Sequence, residues 1–473
     1  MNEVKAEAGL IGLGVMGSNL ALNIAEKGFR LAVFDREGTV ISGLMETAGS
    51  LTSHLVPKLD LEAFVKAIKK PRSIILLIKA GSPVDDVVEM LLPHLDDGDT
   101  IIDGGNSEFG DTVRRSIALA PRSIYFVGLG VSGGEKGARH GPSLMFGGSQ
   151  HSWNQVSPLL NAISAKYEGQ PCSAYMGENG AGNFVKTIHN GIEYADMQMI
   201  AEVYGLLRDG FGKSATNIGE IFESWNEGAI NSYLVEITAK VLKKTDDKTG
   251  QPLVDLILDS AGQKGTGRWA VIEAQKLGVS ATTLEAAVSA RIVSSHRQQR
   301  GKASKALEFD LVAARQALAK SLSVGDLERA LLIGKITAYA QGFAVLSAAS
   351  KTYKWNLPLS DIAKIWRAGC IIRSSLLNKI ASAFSADRQL ENLLESPAFI
   401  EEIQFGQSSL RATVSAGISA GLPIPALSAA VSYLDGIRQG RSTANLLQGQ
   451  RDYFGAHTFE RLDLEGPHRG DWD

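Results

Sequence analysis

The sequence predicts an α/β domain on a largely parallel sheet, followed by a large all-α domain with an internal helical repeat and a C-terminal tail. Three observations carry this reading. A glycine fingerprint stands directly after the first strand, short apolar strands alternate with helical patterns up to about Gly180, and long amphipathic helical patterns take over beyond it. With 473 residues the chain suits two or three domains, here 1–179, 180–440 and a tail at 441–473.

Ala8 to Leu13 reads as a short buried strand, and Gly12-x-Gly14-x-x-Gly17 follows at once. A helical run from Met16 to Glu26 ends at Gly28, and a second strand, Arg30 to Phe34, closes at Asp35. In such a unit the first glycine permits a tight turn, the second lets backbone approach a pyrophosphate, and the third allows helix and strand to pack closely. The helix N-terminus offers free N–H groups and partial positive charge to the phosphates. GxGxxG alone is a weak signal. Between a strand and a helix, with an acidic residue about 20 positions on, it predicts a Rossmann-type dinucleotide site.

Ser73 to Ile78, Thr100 to Ile102 and Ile124 to Val127 continue the alternation. Each run leads to a loop with unusual chemistry: Lys79-Ala80-Gly81, Asp103-Gly104-Gly105-Asn106 and Val131-Ser132-Gly133-Gly134. Open α/β sheets bind ligands at the carboxyl ends of their strands, so these loops are expected to share one edge with the fingerprint.

From about Gly180 the pattern is helical, with a repeat at an offset of about 144 residues. Ile192, Ile218 and Ile221 fall on Ile336, Ile362 and Ile365, and Phe222 falls on Trp366. The copies differ in one informative place. Lys186, His189, Asn190 and Glu193 stand at i, i+3, i+4 and i+7, on one helical face. The second copy has Ala330, Ile333, Gly334 and Thr337 there. A packing role would preserve similar side chains in both copies, and a solvated face has no need of His and Asn, which are mediocre helix formers. The stripe therefore reads as a site. A lysine base in it must lose its proton near neutrality, through burial or through positive charge from Lys264, Arg291 or a bound nicotinamide.

The formal net charge is −3 without a long basic run, which argues against nucleic-acid and membrane-surface partners. Cys172 and Cys370 form neither a disulfide framework nor a metal-binding pair, and no metal-ligand cluster is evident. No apolar run reaches the roughly 20 residues that span a bilayer. Met1 to Ala8 carries no signal-peptide pattern, so the expected location is cytoplasmic. Together these features describe a nicotinamide-dinucleotide-dependent oxidoreductase. A non-catalytic dinucleotide-binding scaffold is the competing class, and loss of Lys186 or Glu193 would have supported it.

Over essentially the whole chain the sequence resembles the decarboxylating 6-phosphogluconate dehydrogenase family, within the β-hydroxyacid dehydrogenases. The resemblance rests on Gly12-Leu-Gly-Val-Met-Gly-Ser-Asn-Leu-Ala-Leu-Asn23, Ile101-Ile-Asp-Gly-Gly-Asn106, Gly130-Val-Ser-Gly-Gly-Glu135 and Gly141-Pro-Ser143. It continues through Phe184-Val-Lys-Thr-Ile-His-Asn-Gly-Ile-Glu-Tyr194, Lys264-Gly-Thr-Gly-Arg-Trp269 and Gln450-Arg-Asp-Tyr-Phe-Gly-Ala-His-Thr458. Related hydroxyacid dehydrogenases share the first loops and the lysine; the last two segments are not expected in them.

The resemblance implies oxidation of 6-phosphogluconate at C3 and loss of CO2 to give ribulose 5-phosphate, with Lys186 as base then acid and Glu193 as the acid that protonates C1 of the enediol. It implies cofactor contacts at Gly12, Leu13, Gly14, Val15, Met16, Gly17, Asp35, Arg36, Glu37, Ile78, Lys79, Ala80 and Asn106. Substrate contacts are implied at Asn106, Ser132, Gly133, Gly134, His189, Asn190 and Tyr194. Lys264, Arg291 and Arg451 would hold the 6-phosphate, His457 would also reach substrate, and the tail would complete the partner's site in a homodimer. No metal is implied. One departure bears on the cofactor: Asp35-Arg36-Glu37 stands where NADP-using members typically read Asn-Arg-Thr. The family default is NADP; the two carboxylates open NAD as the alternative, because a carboxylate there accepts from a free ribose 2′-OH and repels a phosphate. Asn183 and Phe146 also depart from the common histidine and proline.

Overall fold

The computed structural model describes residues 4–307 and 310–472; the first three residues of the N-terminal stretch read above lie outside them. Strands β1 (Ala8–Ile11), β2 (Leu31–Phe34), β3 (Leu55–Pro57), β4 (Ser73–Leu76), β5 (Thr100–Asp103), β6 (Tyr125–Ser132) and β7 (Ser143–Gly147) form the first part of the chain. Between and after them run α1 (Val15–Glu26), α2 (Gly38–Ala48), α3 (Leu61–Lys66), α4 (Ser82–Leu91), α5 (Phe109–Leu119), α6 (Gly134–His140) and α7 (Gln150–Ile163). A small hairpin of β8 (Lys166–Tyr167) and β9 (Gln170–Pro171) leads into β10 (Ser173–Gly177).

Eight strands make one sheet in the order β10-β7-β6-β5-β4-β1-β2-β3. Strand β1 lies between β2 and β4, parallel to both, so the chain direction across the sheet switches at β1. That switch point is where open α/β sheets leave a crevice at the strands' carboxyl ends. Helices cover both faces over two apolar cores, one centred on Leu10, Val33, Ile75 and Ile102, the other on Ile11, Ile74, Leu76 and Ile101. Burial on both faces explains why these strands read as continuous apolar runs.

Three sheet strands escape the sequence reading. β3 is only three residues long and ends in Pro57. β7 and β10 each end in glycine, and β7 runs antiparallel to β6, a reversal imposed over Gly141 and Pro142. Val131 and Ser132, read as loop, are the last residues of β6.

The helical domain begins with α8 (Ala181–Gly205), α9 (Ala215–Trp225) and α10 (Tyr233–Lys243). α11 (Leu253–Leu256), α12 (Thr266–Lys276), α13 (Thr282–Ser295), α14 (Arg297–Ala306) and α15 (Val312–Ser321) follow. The pattern then returns with α16 (Val324–Thr352), α17 (Leu359–Ile365), α18 (Leu376–Ala386), α19 (Pro397–Ser419) and α20 (Pro425–Arg438). Thus α8, α9 and α10 recur as α16, α17 and α18, as the faint repeat predicts. The two long helices pack on each other, close enough that a Cβ at Gly342 would lie 2.5 Å from Ile192.

At their contact Lys335 of α16 donates to both carboxylate oxygens of Asp196 of α8 at 2.7 Å and to Ser232 Oγ at 3.2 Å, all fully buried. By length and composition α16 could cross a membrane, contrary to the run-length reading. Its most apolar window is 94% buried inside the fold, so here it is a core helix.

The tail also differs from expectation. After about Gly440 the sequence departs from helical patterning, yet the chain there holds α21 (Ala444–Gly455) before a short pairing of β11 (Phe459–Glu460) with β12 (Pro467–His468). Almost all of α21 is exposed; its apolar residues Leu446, Leu447, Tyr453 and Phe454 stand in two pairs about two turns apart, too few to mark a helix by periodicity in so short a segment. The lobe is organised by Asp452, whose buried carboxylate accepts from the backbone N–H groups of Thr458 and Gly470 and from Trp472 Nε1, each at 2.9 Å.

Candidate active site

The fingerprint glycines differ in the way a dinucleotide needs. Gly12 has φ +94°, and a Cβ there would lie 2.6 Å from the Leu77 carbonyl oxygen. At Gly17 a Cβ would lie 1.8 Å from the Gly12 oxygen, so only glycine lets α1 sit on β1. At Gly14 nothing lies within 4 Å of the added atom, and α1 starts there with no side-chain cap. The space and the free N–H groups fit a pyrophosphate. Gly14→Ala is therefore expected to keep its melting temperature while binding dinucleotide about tenfold more weakly, a loss of about 1.4 kcal/mol measurable by fluorescence titration. Wild-type affinity would refute the placement.

Asp35, at the end of β2, is held in place: Oδ2 accepts from Leu13 N at 2.7 Å and Oδ1 from Glu37 N at 3.1 Å. Arg36 and Glu37 are exposed, with Arg36 Nε 3.7 Å from the Glu37 carboxylate. The end of β2 thus carries a carboxylate fixed by two backbone N–H groups, followed by an exposed cation.

A cleft of about 1220 Å3 opens between the sheet's carboxyl edge and the helical domain. Met16, Ile78, Lys79, Ala80 and Asn106 line one side; Asn190, Glu193, Tyr194, Lys264 and Arg291 line the other. These segments are far apart in sequence, and the fold brings them together. α8 enters through glycine contacts: a Cβ at Gly182 would lie 2.4 Å from the Met145 oxygen, and one at Gly130 would lie 2.6 Å from Lys186 Cβ. The polar stripe of α8 is consequently buried rather than solvated. Lys186 is 6% exposed, and His189 is fully covered.

Lys186 Nζ donates to Asn190 Oδ1 at 2.8 Å, and His189 Nδ1 lies 3.1 Å from the same oxygen. Nδ1 therefore carries the proton, which leaves Nε2 to accept from Ser132 Oγ at 3.1 Å. Burial, then the charge of Lys186, holds the His189 pKa well below the usual imidazole range, so its 3.8 Å approach to Glu193 is not an ion pair. Arg291 lies over the Tyr194 ring, with Cζ 3.5 Å from the centroid, a cation–π contact that presents the guanidinium to the cleft.

Burial dominates both proposed acid–base groups. It pushes the Lys186 amine below its ordinary pKa, opposed by the negative charge of Glu193 and more weakly by Cys370. It pushes the Glu193 carboxyl up, opposed by Lys186 and Arg291 and aided by Asp196. The two shifts converge, so a neutral amine and a protonated carboxyl coexist more readily than in water. Of the two causes the sequence leaves open for the lysine shift, burial or nearby positive charge, burial is the one the structure shows, while Arg291 acts on Glu193.

Gly133 (φ +114°) and Gly134 (φ +60°) form the turn from β6 into α6, next to Ser132. Arg451 and His457 lie in the tail lobe, and neither lines the cleft of its own chain. Glu108, Asp111 and Trp269 do line it and were missed as site residues. Glu108 looks in sequence like a helix cap, and it does cap α5, accepting from Asp111 N at 3.3 Å. Asn183 is buried in the first turn of α8 with its Nδ2 unpartnered, and Phe146 packs on Trp153 and Tyr175; nothing in the structure explains either departure. Among the described residues no group of three or more His, Cys, Asp or Glu is placed to hold a metal ion.

Residues 7–179 match the family profile described as the NAD binding domain of 6-phosphogluconate dehydrogenase, and residues 182–472 match that of the 6-phosphogluconate dehydrogenase C-terminal domain. The chain is 47% identical over 468 residues to the NAD(+)-dependent decarboxylating 6-phosphogluconate dehydrogenase of Bacillus subtilis, covering 98% of each. It is 45% identical to the NADP(+)-dependent enzyme of the same organism, covering 99% of each. The 6-phosphogluconate dehydrogenase of Plasmodium falciparum, solved apo, with NADP+ and with 6-phosphogluconate, superposes with a TM-score of 0.93 at 40% identity, over 98% of this chain and 100% of that one.

Proposed function

Because this chain belongs to the 6-phosphogluconate dehydrogenase family, we propose that it oxidises 6-phospho-D-gluconate and releases CO2 to give D-ribulose 5-phosphate. The observation that carries the reading is the buried Lys186 amine, hydrogen-bonded to Asn190, on one face with a Glu193 that opens into the cleft. When bound, the dinucleotide supplies the acceptor for a hydride.

Lys186, neutral through burial, takes the C3 hydroxyl proton as the hydride leaves C3. The resulting ammonium returns that proton to the C3 oxygen while the bond to the carboxylate carbon breaks. CO2 departs, and the bond's electron pair stays in an enediol. Acid stabilisation of the developing enolate is what lets a β-keto acid decarboxylate without a metal. Glu193 then protonates the carbon that becomes C1 of the product. Lys264 and Arg291 hold the phosphate by charge-assisted hydrogen bonds. Asn106, Ser132, Gly133, Gly134, His189, Asn190 and Tyr194 surround the sugar acid.

NADP is the cofactor of this reading, with NAD the alternative that Asp35 and Glu37 favour. A homodimer is part of the proposal. Leu446, Leu447, Tyr453 and Phe454 on α21 are all exposed, an apolar surface that a second subunit would cover. That lobe would carry Arg451 and His457 into the partner's cleft. A cytoplasmic setting is proposed with it, since both cysteines are buried and unpaired.

Initial rates with 6-phosphogluconate, read as reduced-nicotinamide absorbance and as CO2 release with NADP and with NAD in parallel, test the reading. Product formation with either cofactor supports it. Absence of both signals from folded protein defeats it. Glu193→Gln is expected to retain substrate binding, lose about 10²–10⁴-fold in kcat, and show a residual rate that no longer falls as pH rises, because the titrating acid is gone.

A further inference from the structure

Behind the cleft, on the side of α5 that faces the sheet, Arg115 is 2% exposed. Its Nε and Nη2 donate to the two carboxylate oxygens of Asp85 at 2.8 and 2.9 Å, and Nη2 also donates to the Gly81 carbonyl at 3.0 Å. Its Nη1 lies 3.6 Å from Asp103 Oδ2 and has no hydrogen-bond partner. One planar group thus touches the loop after β4, the first turn of α4 and the last residue of β5. Asp103 in turn holds the next loop: Oδ1 accepts from Gly105 N at 3.0 Å and Oδ2 from Ser107 Oγ at 2.6 Å. Between those contacts stands Asn106, a non-glycine residue at φ +57° that faces the cleft.

The sheet does not need this arrangement. β4 and β5 are already paired over Ser73–Leu76 and Thr100–Asp103; Arg115 meets that ladder only at its last pair, through Asp103, and its contacts with Gly81 and Asp85 lie beyond it. The two loops also meet directly, since a Cβ at Gly105 would lie 2.5 Å from the Ile78 carbonyl oxygen. That contact sets how closely the loops approach; Gly104 N donates to the Leu76 carbonyl at 2.9 Å at their base, and the guanidinium bridges them farther out, from Gly81 to Asp103.

We propose that Arg115 is a positioning residue for the dinucleotide-dependent reaction: through Gly81 and Asp103 it fixes the spacing of the Lys79–Gly81 and Gly104–Asn106 loops and so places Asn106 in the cleft. The inference rests on the family reaction above only in assigning Asn106 to both ligands. A guanidinium suits the task because its donors form a rigid fork, whereas a lysine ammonium is a point charge on a flexible stem. A lysine here can keep the ion pair with Asp85 but cannot hold the Gly81 carbonyl and face Asp103 at the same time.

The test uses the full-length protein with R115K, R115M and R115M/D103N. Each is measured for melting temperature, for reduced-dinucleotide affinity by fluorescence titration without substrate, and for KM and kcat with 6-phosphogluconate. R115K is expected to fold like the wild type yet bind dinucleotide and 6-phosphogluconate about ten- to a hundredfold more weakly, the size of effect that a misplacement of about 1 Å produces. The double variant removes the buried carboxylate that R115M would strand, so it should fold while its dinucleotide affinity stays low. Wild-type affinity and KM in R115K, or restored dinucleotide affinity in R115M/D103N, overturns the proposal and leaves Arg115 a purely structural residue. The titration needs no substrate, so it decides the role of Arg115 even if 6-phosphogluconate is not turned over.

Discussion

Lys186→Met is expected to lower kcat by about 10²–10⁴-fold while the protein keeps its fold and its dinucleotide affinity. The substitution is chosen for its physics. Methionine replaces the stem of a nearly buried lysine without a charge to desolvate, so no stability is lost with the amine. Asn190 Oδ1 keeps the His189 donor, and no buried acceptor is stranded. The sign of the pH effect follows from the direction of the shift. Burial disfavours the ammonium, so the amine is free at a lower pH than an exposed lysine, and activity falls as pH falls because Lys186 regains its proton. Lys186 and Glu193 interact, so the two limbs of the profile belong to the pair rather than to either group. Single-turnover hydride transfer and steady-state rates should fall together in the variant. A variant with wild-type turnover would remove Lys186 from the chemistry altogether.

The second large effect is on stability. Lys335→Met should destabilise the protein by about 3–5 kcal/mol, because it leaves the Asp196 carboxylate buried without its cation. Ser232 Oγ, the third member of the cluster, belongs to the turn before α10, so the loss loosens α8, α10 and α16 at once. The paired variant Lys335→Met/Asp196→Asn removes both charges and is expected to recover most of the loss. Melting curves of the two single variants and the double close the cycle. A double variant no better than Lys335→Met would show that shape, not charge pairing, holds the two long helices together. Asp196 lies one turn beyond Glu193 on the same helix and helps to raise its pKa, so Asp196→Asn should also shift the alkaline side of the pH profile to lower pH.

The dinucleotide unit was legible because its signals are local. A turn that needs glycine, a helix start and a strand end all lie within about 30 residues. Lys186, His189, Asn190 and Glu193 were legible for a related reason. A helix brings i, i+3, i+4 and i+7 to one face whatever surrounds it, and the second copy of the repeat served as an internal control. β7 and β10 were not legible, since their glycine ends and short apolar runs look like turns until partner strands are in place. α21 was not legible because its apolar residues form only two pairs in a twelve-residue segment between glycines, a pattern too short for periodicity to separate from a loop.

The sequence by itself determined which residues are the candidates for the chemistry: the fingerprint around Gly12, the acidic strand end at Asp35, and the lysine and glutamate of one helical face. Only the tertiary structure decided their state. It buried Lys186 behind Gly130, set Ser132 of β6 against His189 of α8, brought Arg291 over Tyr194, and tied Asp35 to Leu13 N–H. The division has a physical cause. Turn chemistry and periodicity act over a few residues along the chain, whereas desolvation and charge act through space, between segments that meet only when the sheet and the helices pack.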